Sequence, residues 1–316
     1  MSPESLSMET GALREQLLLL LKQELGSKVE LVDYKIGNQR HDYLVLLTQL
    51  HCPSLEVVIK LAGPEAPYAC PFDRTAALHR LVTAQTTIPM PEVIAVDVSY
   101  QKRPWRYMIK AHVPGDEWAT VRHQMDAEQL SSAYRQMGNA VAQLHTIQFP
   151  AFGELAADGQ IQTGQPYLTA LRERANGFIE NPRLRDAFFS VLNQYAHLFD
   201  DVCAATLCHE DLHKHNILFE NRQGQWRLTT ILDFDKAWAG HHEIDIARLD
   251  LWTGMTNEAF WQAYEAIRPI APLYMQRRPI YQLFWCLEYA QPTVKHLADT
   301  QRVCEELGVP IIEHFK

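Results

Sequence analysis

The sequence predicts an α+β chain, with a small, mostly antiparallel sheet near its start and a larger, mainly helical part after it. Three observations carry this. Short strand-like apolar runs crowd residues 29–113, helical periodicities dominate from about residue 115, and the charge divides near the same place. Residues 1–110 hold twelve basic and twelve acidic side chains; residues 111–316 hold seventeen and twenty-six, so the whole net charge of −9 falls in the second part. A length of 316 residues exceeds one average domain, and the expected division is 1–110 and 111–316.

The elements follow in order. Residues 9–25 (ETGALREQLLLLLKQEL) read as an amphipathic helix, with Leu13, Leu17, Leu20 and Leu21 on one face and Gly26 as its stop. VELVDY (29–34) and YLVLL (43–47) read as strands, with KIGNQRHD between them as a loop holding Gly37. LEVVIKLA (55–62) is a third strand, 73–84 a helix, and PEVIAVDV (91–98) and RYMIKAHV (106–113) two more strands. Further on, SSAYRQMGNAVAQLHTI (131–147) and RLRDAFFSVLNQYAHLF (183–199) are long helices, 206–235 mixes strand and loop, and 256–309 is helical and aromatic-rich.

Composition narrows the function classes. Hydrophobic residues at 47% and charged residues at 21% fit a globular chain and exclude low-complexity or disordered architecture. A net charge of −9 argues against a nucleic-acid partner. The six cysteines form no C-x-x-C pair, which suits reduced thiols and a cytoplasmic location. The longest aliphatic run, Leu17 to Leu21, is far below the roughly 20 residues of a membrane span, and no basic leader segment precedes it, so neither membrane nor signal peptide is expected.

The densest chemistry is LCHEDLHKHNILFE (207–220) followed by ILDFDKAW (231–238). Phosphoryl transfer needs a carboxylate to take a hydroxyl proton and oxygen ligands for Mg²⁺. In H-x-D-x-x-x-x-N, Asp211 fits the base and Asn216 a metal ligand; Asp233, after Ile231 and Leu232, fits the second ligand. A hairpin of NILFE and TTILD around NRQGQ would bring Asn216 and Asp233 side by side. Lys60, inside an apolar strand, is costly to bury unless an anion meets it, and the α- and β-phosphates of ATP are such an anion. Its bland reading is a lysine on the solvent face of an edge strand. His209 to His213 also spell H-E-x-x-H, a zinc motif if helical, with His215, His241 or His242 as a third ligand.

HEDLHKHN with LDFD resembles the catalytic and metal segments of the aminoglycoside phosphotransferase family, small-molecule kinases with a bilobal protein-kinase-like fold. VVIKL, PEVIAVD, HVPGDEW, MGNAVAQLHTIQFPAFGEL and HHEIDIARL match further family segments in order, over about residues 30–290. The resemblance implies Asp211 as the catalytic aspartate, Asn216 and Asp233 as Mg²⁺ ligands, and Lys60 as the phosphate lysine. It also implies Gly37 in the phosphate loop, a hinge at 110–113 whose Lys110, Ala111 and His112 meet the nucleotide base, and bracing roles for His209 and Asp245. Three features depart from the pattern. Thr75 stands where a glutamate is usual, with Asp73 as the substitute; the phosphate loop is poor in glycine; and Asp235-Lys236 replaces the commoner Gly-Asp.

The implied donor is ATP or GTP. The implied acceptor is a small-molecule hydroxyl, and the acidic second part favours a cationic one such as an aminoglycoside, hence antibiotic resistance. Choline, homoserine and sugars are the metabolic alternatives, and a catalytically silent binding module is a further one. Glu243, Asp250, Glu258, Glu288 and Glu313 are the candidate acceptor contacts, with His213 or Lys214 beside the transferring group. The oligomeric expectation is a monomer or dimer.

Overall fold

A computed structural model of the chain describes residues 10–289 and 292–312, so Glu9 and Glu313 lie outside the described residues. Two compact units emerge. The first holds the described residues up to Ala84, Pro89–Pro114 and Ala157–Gly159; the second holds Gln85–Ile88, Gly115–Ala156 and the described residues from Gln160 onward.

The first unit opens with α1 (Thr10–Leu25), whose Leu13, Leu17, Leu20 and Leu21 are all buried. Gly26, at φ +106°, ends the helix with its N–H on the Lys22 carbonyl. Then come β1 (Glu30–Arg40), β2 (Tyr43–His51), β3 (Leu55–Ala62), α2 (Phe72–Gln85), β4 (Val93–Asp97) and β5 (Arg106–Ala111). The strands form one antiparallel sheet in the order β1-β2-β3-β5-β4. Strand alternation sorts β3 between two cores: Val57, Ile59 and Leu61 face the α1 leucines, while Ala62 packs with Phe72 and Ala76 of α2 and with Met108. Each fully buried leucine of α1 contributes about 1.5–3 kcal/mol, which is what fastens a helix of low amphipathic contrast to the sheet.

One expected loop is not a loop. KIGNQRHD continues β1 as far as Arg40, paired with β2, and a register shift between Ile36 and Asn38 takes up Gly37 as a bulge. The turn shrinks to the residues around Asp42, because hairpin pairing satisfies the backbone that a long loop would leave to water.

The second unit contains β6 (Asp116–Glu117), α3 (Trp118–Val121), α4 (Ala127–Leu144), β7 (Gln148–Phe149), α5 (Tyr167–Phe178) and α6 (Pro182–Gln194). It continues with β8 (Ala205–Cys208), β9 (Ile217–Arg222), β10 (Gln225–Ile231), β11 (Trp238–Gly240), α7 (Glu243–Leu251), α8 (Glu258–Glu265), α9 (Tyr274–Leu287) and α10 (Val294–Leu307). Two small sheets, β10-β9-β6 and β11-β8-β7, carry the loops of interest. Helix α4 starts before its expected residue 131 because Asp126 and Gln129 form a reciprocal capping box. Gly138 of α4 lies so close to α8 that a Cβ there would meet the Phe260 carbonyl oxygen at 2.3 Å. The expected helix 183–199 stops at Gln194 and finishes as a 3₁₀ turn, Ala196–Phe199. Helices α5 and α7 were not among the expected elements. No described helix is long and apolar enough to cross a membrane, and the six cysteines are free thiols.

Candidate functional site

The loop His209–Asn216 joins β8 to β9 and is built on a buried frame. Asp245, in the first turn of α7, accepts the N–H of Glu210 at Oδ1 and that of His209 at Oδ2, both at 2.7 Å. His145, which caps the C-terminus of α4, adds Nε2 at 3.1 Å to the same Oδ2, and its Nδ1 meets the Tyr264 hydroxyl at 2.7 Å. Burial alone would push the Asp245 carboxyl up, but His145, His209 and the loop amides bring it below its ordinary value. One carboxylate thus fixes two successive amides of the loop, and Glu210 is held at φ +56° between them.

His209 is the second brace. Its Nδ1 accepts the Asp211 N–H at 3.1 Å, so the proton sits on Nε2 and is donated to the Leu232 carbonyl at 2.9 Å. Burial lowers its pKa against the pull of Asp245 and Asp211, in keeping with a neutral ring. The Glu210 side chain forms a buried ion pair with Arg174 of α5, which also reaches Glu154 and the Lys236 carbonyl. Burial pushes the Glu210 carboxyl up, and Arg174 works against that.

Asp211 stands on this frame with its side chain 22% exposed, open enough to meet a ligand. Its Oδ1 accepts from Nη2 of Arg248 at 3.2 Å, and its Oδ2 lies 3.8 Å from His213 Nε2. Burial pulls the His213 imidazole down despite Asp211, and its ring lies parallel to Trp252, 3° between planes.

The expected hairpin is present. Ile217 pairs with Ile231 across β9 and β10, and the Leu232 N–H extends the ladder to the Asn216 carbonyl at 2.8 Å. Asn216 and Asp233 therefore end the two strands of one hairpin. Asn216 donates Nδ2 to the Asp211 carbonyl at 2.9 Å, which leaves its Oδ1 without a hydrogen bond among the described residues. Asp233 has φ +67°, pinned between Leu232, tied to His209 and Asn216, and Phe234, which packs on the His209 ring at 4.5 Å. Hard oxygen donors of this kind suit Mg²⁺.

The first unit holds the remaining expected residues. Lys60 is 9% exposed on a central strand, aligned with Met108 and on the α2 side of the sheet, so the solvent-edge reading fails. Thr75 is buried in α2, and Asp73 caps the Arg74 amide. Gly37 lies in β1, where a Cβ would meet only the Val45 carbonyl at 3.7 Å. Lys110 is buried in β5; the Ala111 and His112 amides donate to Glu92 and Glu56 carbonyls, both at 2.9 Å. The Val113 amide makes no hydrogen bond among the described residues.

The zinc reading fails on geometry. Residues 209–213 are not helical, and both His209 ring nitrogens are engaged by the backbone, at the Asp211 amide and the Leu232 carbonyl. His241, His242 and Glu243 do bring donor atoms within 4.8 Å of one another. However, Arg277 takes both Glu243 oxygens, at 2.6 and 2.7 Å, and Tyr281 takes His241 Nδ1 at 2.7 Å.

The acidic candidates separate as well. Glu243 is fully buried on Arg277, Asp250 pairs with Arg278 at 3.0 Å, and Glu258 accepts from Gln262 at 2.9 Å on the surface of α8. Glu288 is buried against Lys236 at 3.2 Å and lies 4.0 Å from Arg248. Two residues at this site escaped sequence reasoning, Arg174 and Arg248. Each had a signal: an arginine on the apolar stripe of a helical run, Leu171-x-x-Arg174-Ala175 in one case and Asp245-x-x-Arg248 in the other.

Comparisons with known proteins agree with this architecture. A thermostable mutant of the aminoglycoside phosphotransferase APH(4)-Ia, in ternary complex with AMP-PNP and hygromycin B, superposes with a TM-score of 0.64 at 15% identity, covering 93% of this chain and 97% of that one. A Plasmodium vivax ethanolamine kinase superposes at 0.60 with 14% identity, covering 96% and 90%. A "Probable ketoamine kinase" of Lactiplantibacillus plantarum is 33% identical over 84 residues, a match spanning 27% of this chain and 28% of that relative. Residues 36–279 match the family model of the phosphotransferase enzyme family APH, and the chain belongs to that family.

Proposed function

We propose that the chain is a small-molecule kinase that moves the γ-phosphoryl group of ATP or GTP to a hydroxyl. The observation that carries this is Asp211, a partly open carboxylate on a rigid buried frame, next to the strand ends that bear Asn216 and Asp233. In the reaction the acceptor O–H bond breaks and its proton passes to Asp211. The hydroxyl oxygen forms a new bond to the γ-phosphorus, and the bridging oxygen leaves with the electron pair on the nucleoside diphosphate. Asn216 and Asp233 would hold Mg²⁺, which when bound supplies positive charge to the phosphate oxygens. In the first unit, Lys60 is the proposed partner of the α- and β-phosphates, Gly37 is assigned to the phosphate-facing hairpin, and Lys110, Ala111 and His112 to the base. With the Ala111 and His112 amides engaged, the Val113 amide is the donor of this segment left for a base among the described residues.

For the acceptor, the structure weakens the electrostatic case for a polycation such as an aminoglycoside. Of the acidic groups named for that role, those among the described residues are matched by Arg277, Arg278 and Lys236 or lie on the outer face of α8. A hydroxylated metabolite is therefore the favoured acceptor, and the ketoamine kinase relative lends support on the metabolic side.

The test is ADP release with Mg²⁺-ATP, repeated with GTP, across aminoglycosides, choline, homoserine and sugars. Asp211→Asn should lower turnover about 10²–10⁴-fold while leaving nucleotide affinity nearly intact. Turnover near wild type in that variant would overturn the assignment of the base. Nucleotide binding with no turnover on any acceptor would favour the silent binding module.

A further inference from the structure

Among the described residues, the wall beside Asp211 has spare hydrogen-bond donors. Helix α7 turns Asp245 and Arg248 towards the loop, three residues apart on one face, and Trp252 follows just past its end: Asp245 binds the loop amides, Arg248 meets Asp211, and Trp252 stacks on His213. Arg248 is 3% exposed, and among the described residues its guanidinium is engaged only at Nη2, 3.2 Å from Asp211 and 4.0 Å from Glu288. Its Nε is buried and has no partner among the described residues. Its guanidinium carbon lies 5.5 Å from the Trp285 ring centroid, and Trp285 lies 5.2 Å from Trp252. The indole N–H groups of Trp252 and Trp285 are likewise buried without partners among the described residues. Of the carboxylates nearby besides Asp211, that of Glu288 already holds Lys236, and that of Glu210 holds Arg174 through Oε2 while its buried Oε1 has no partner among the described residues.

Buried donors without partners each cost about 1–3 kcal/mol, so a cluster of them implies a ligand rich in acceptor oxygens. Resting on the kinase reading above, we propose that Arg248, with Trp252 and Trp285, recognises a carboxylate carried by the acceptor, so that the substrate class is hydroxylated carboxylic acids. A guanidinium matches a carboxylate with paired N–H groups, which an ammonium on the ligand would instead repel. A carboxylate that takes Nη2 also releases Asp211 Oδ1 for the hydroxyl proton, so that binding of the right acceptor completes the base.

Anionic oxygens near Asp211 have a second source, the transferring phosphoryl group, and the experiment separates the two. Matched pairs serve as probes: D-gluconate with D-glucitol, D-galacturonate with D-galactose, and homoserine with its amide, with kanamycin as the polycation. Binding is read by quenching of tryptophan fluorescence, and turnover by ADP release, in wild type, Arg248→Met and Arg248→Lys. The expected result is a carboxylate preference of about 10–100-fold in wild type for at least one pair, falling to about 1 in Arg248→Met and partly kept in Arg248→Lys. The wild-type ratio decides by itself should the methionine variant not fold. No preference in any pair, or kanamycin favoured over every carboxylate, overturns the proposal. Equal loss of turnover on both members of a pair, with the ratio unchanged, overturns it too and assigns Arg248 to the phosphoryl group. Failure of the kinase reading has a different signature: a carboxylate preference in binding with ADP release insensitive to Asp211→Asn.

Discussion

The two surroundings of Asp211 are built on opposite rules. Beneath it, Asp245 and His209 use both carboxylate oxygens and both ring nitrogens on protein partners. Beside it, Arg248, Trp252 and Trp285 hold donors that no group among the described residues takes. A satisfied network is costly to break and fixes one geometry; an unsatisfied one is waiting for something outside the chain. The frame is therefore where a mutation should unfold the protein, and the wall is where it should change what binds.

The largest effect should come from the frame. Asp245→Ala leaves the His209 and Glu210 amides and His145 without their buried acceptor, and the expected loss is about 3–5 kcal/mol. Denaturant unfolding of the variant against wild type measures it. A loss below about 1 kcal/mol would mean that the loop rests on its other contacts and that the contrast with the wall is illusory.

How much of this was legible in the sequence depends on range. Signals that act within a few residues were readable: the α1 leucine stripe, the hairpin that brings Asn216 and Asp233 together, and Lys60 within an apolar strand. The bulge at Gly37 was not, because a polar run rich in turn formers reads as loop until a partner strand claims its amides. Asp245 was found through family likeness, since nothing local in EIDIARL says that its carboxylate reaches two amides 35 and 36 residues away. Arg174 and Arg248 were missed for the related reason that a buried arginine is defined by its partners. Those partners, Glu210 and Asp211, lie 36 and 37 residues off.

A smaller effect concerns the support of α7. His241 and His242 precede that helix, and burial, followed by neighbouring positive groups, drives both imidazoles below their ordinary value of 6.5. Each is neutral in the folded chain, and the unfolded chain takes up the proton first as pH falls. Their contribution is thus present above pH 6.5 and is lost progressively below it. Thermal melts from pH 7.5 to 5.5 should show falling stability, and His242→Gln should flatten that slope relative to wild type. An identical slope in the variant would show that the group does not couple to folding. Comparing slopes also cancels the opposing trend of Glu210 and Glu243, whose carboxyls burial pushes up.

The smallest expected change in stability sharpens the contrast most. Trp118 donates its indole N–H to the Gly254 carbonyl at 2.9 Å, whereas Trp252 donates its own to no group among the described residues. Changing each to phenylalanine removes the same N–H and a similar volume, so the difference between the two variants isolates the hydrogen bond. Trp118→Phe should lose about 1–2 kcal/mol more than Trp252→Phe, because it leaves a buried carbonyl with fewer partners while Trp252→Phe removes a donor that was already unmet. Trp252→Phe should instead raise the acceptor KM several-fold, with its ring still stacked on His213. Equal losses in stability would mean that the Trp252 N–H is satisfied in solution without a ligand, and the case that the wall awaits an oxygen-rich acceptor would lose one of its three donors.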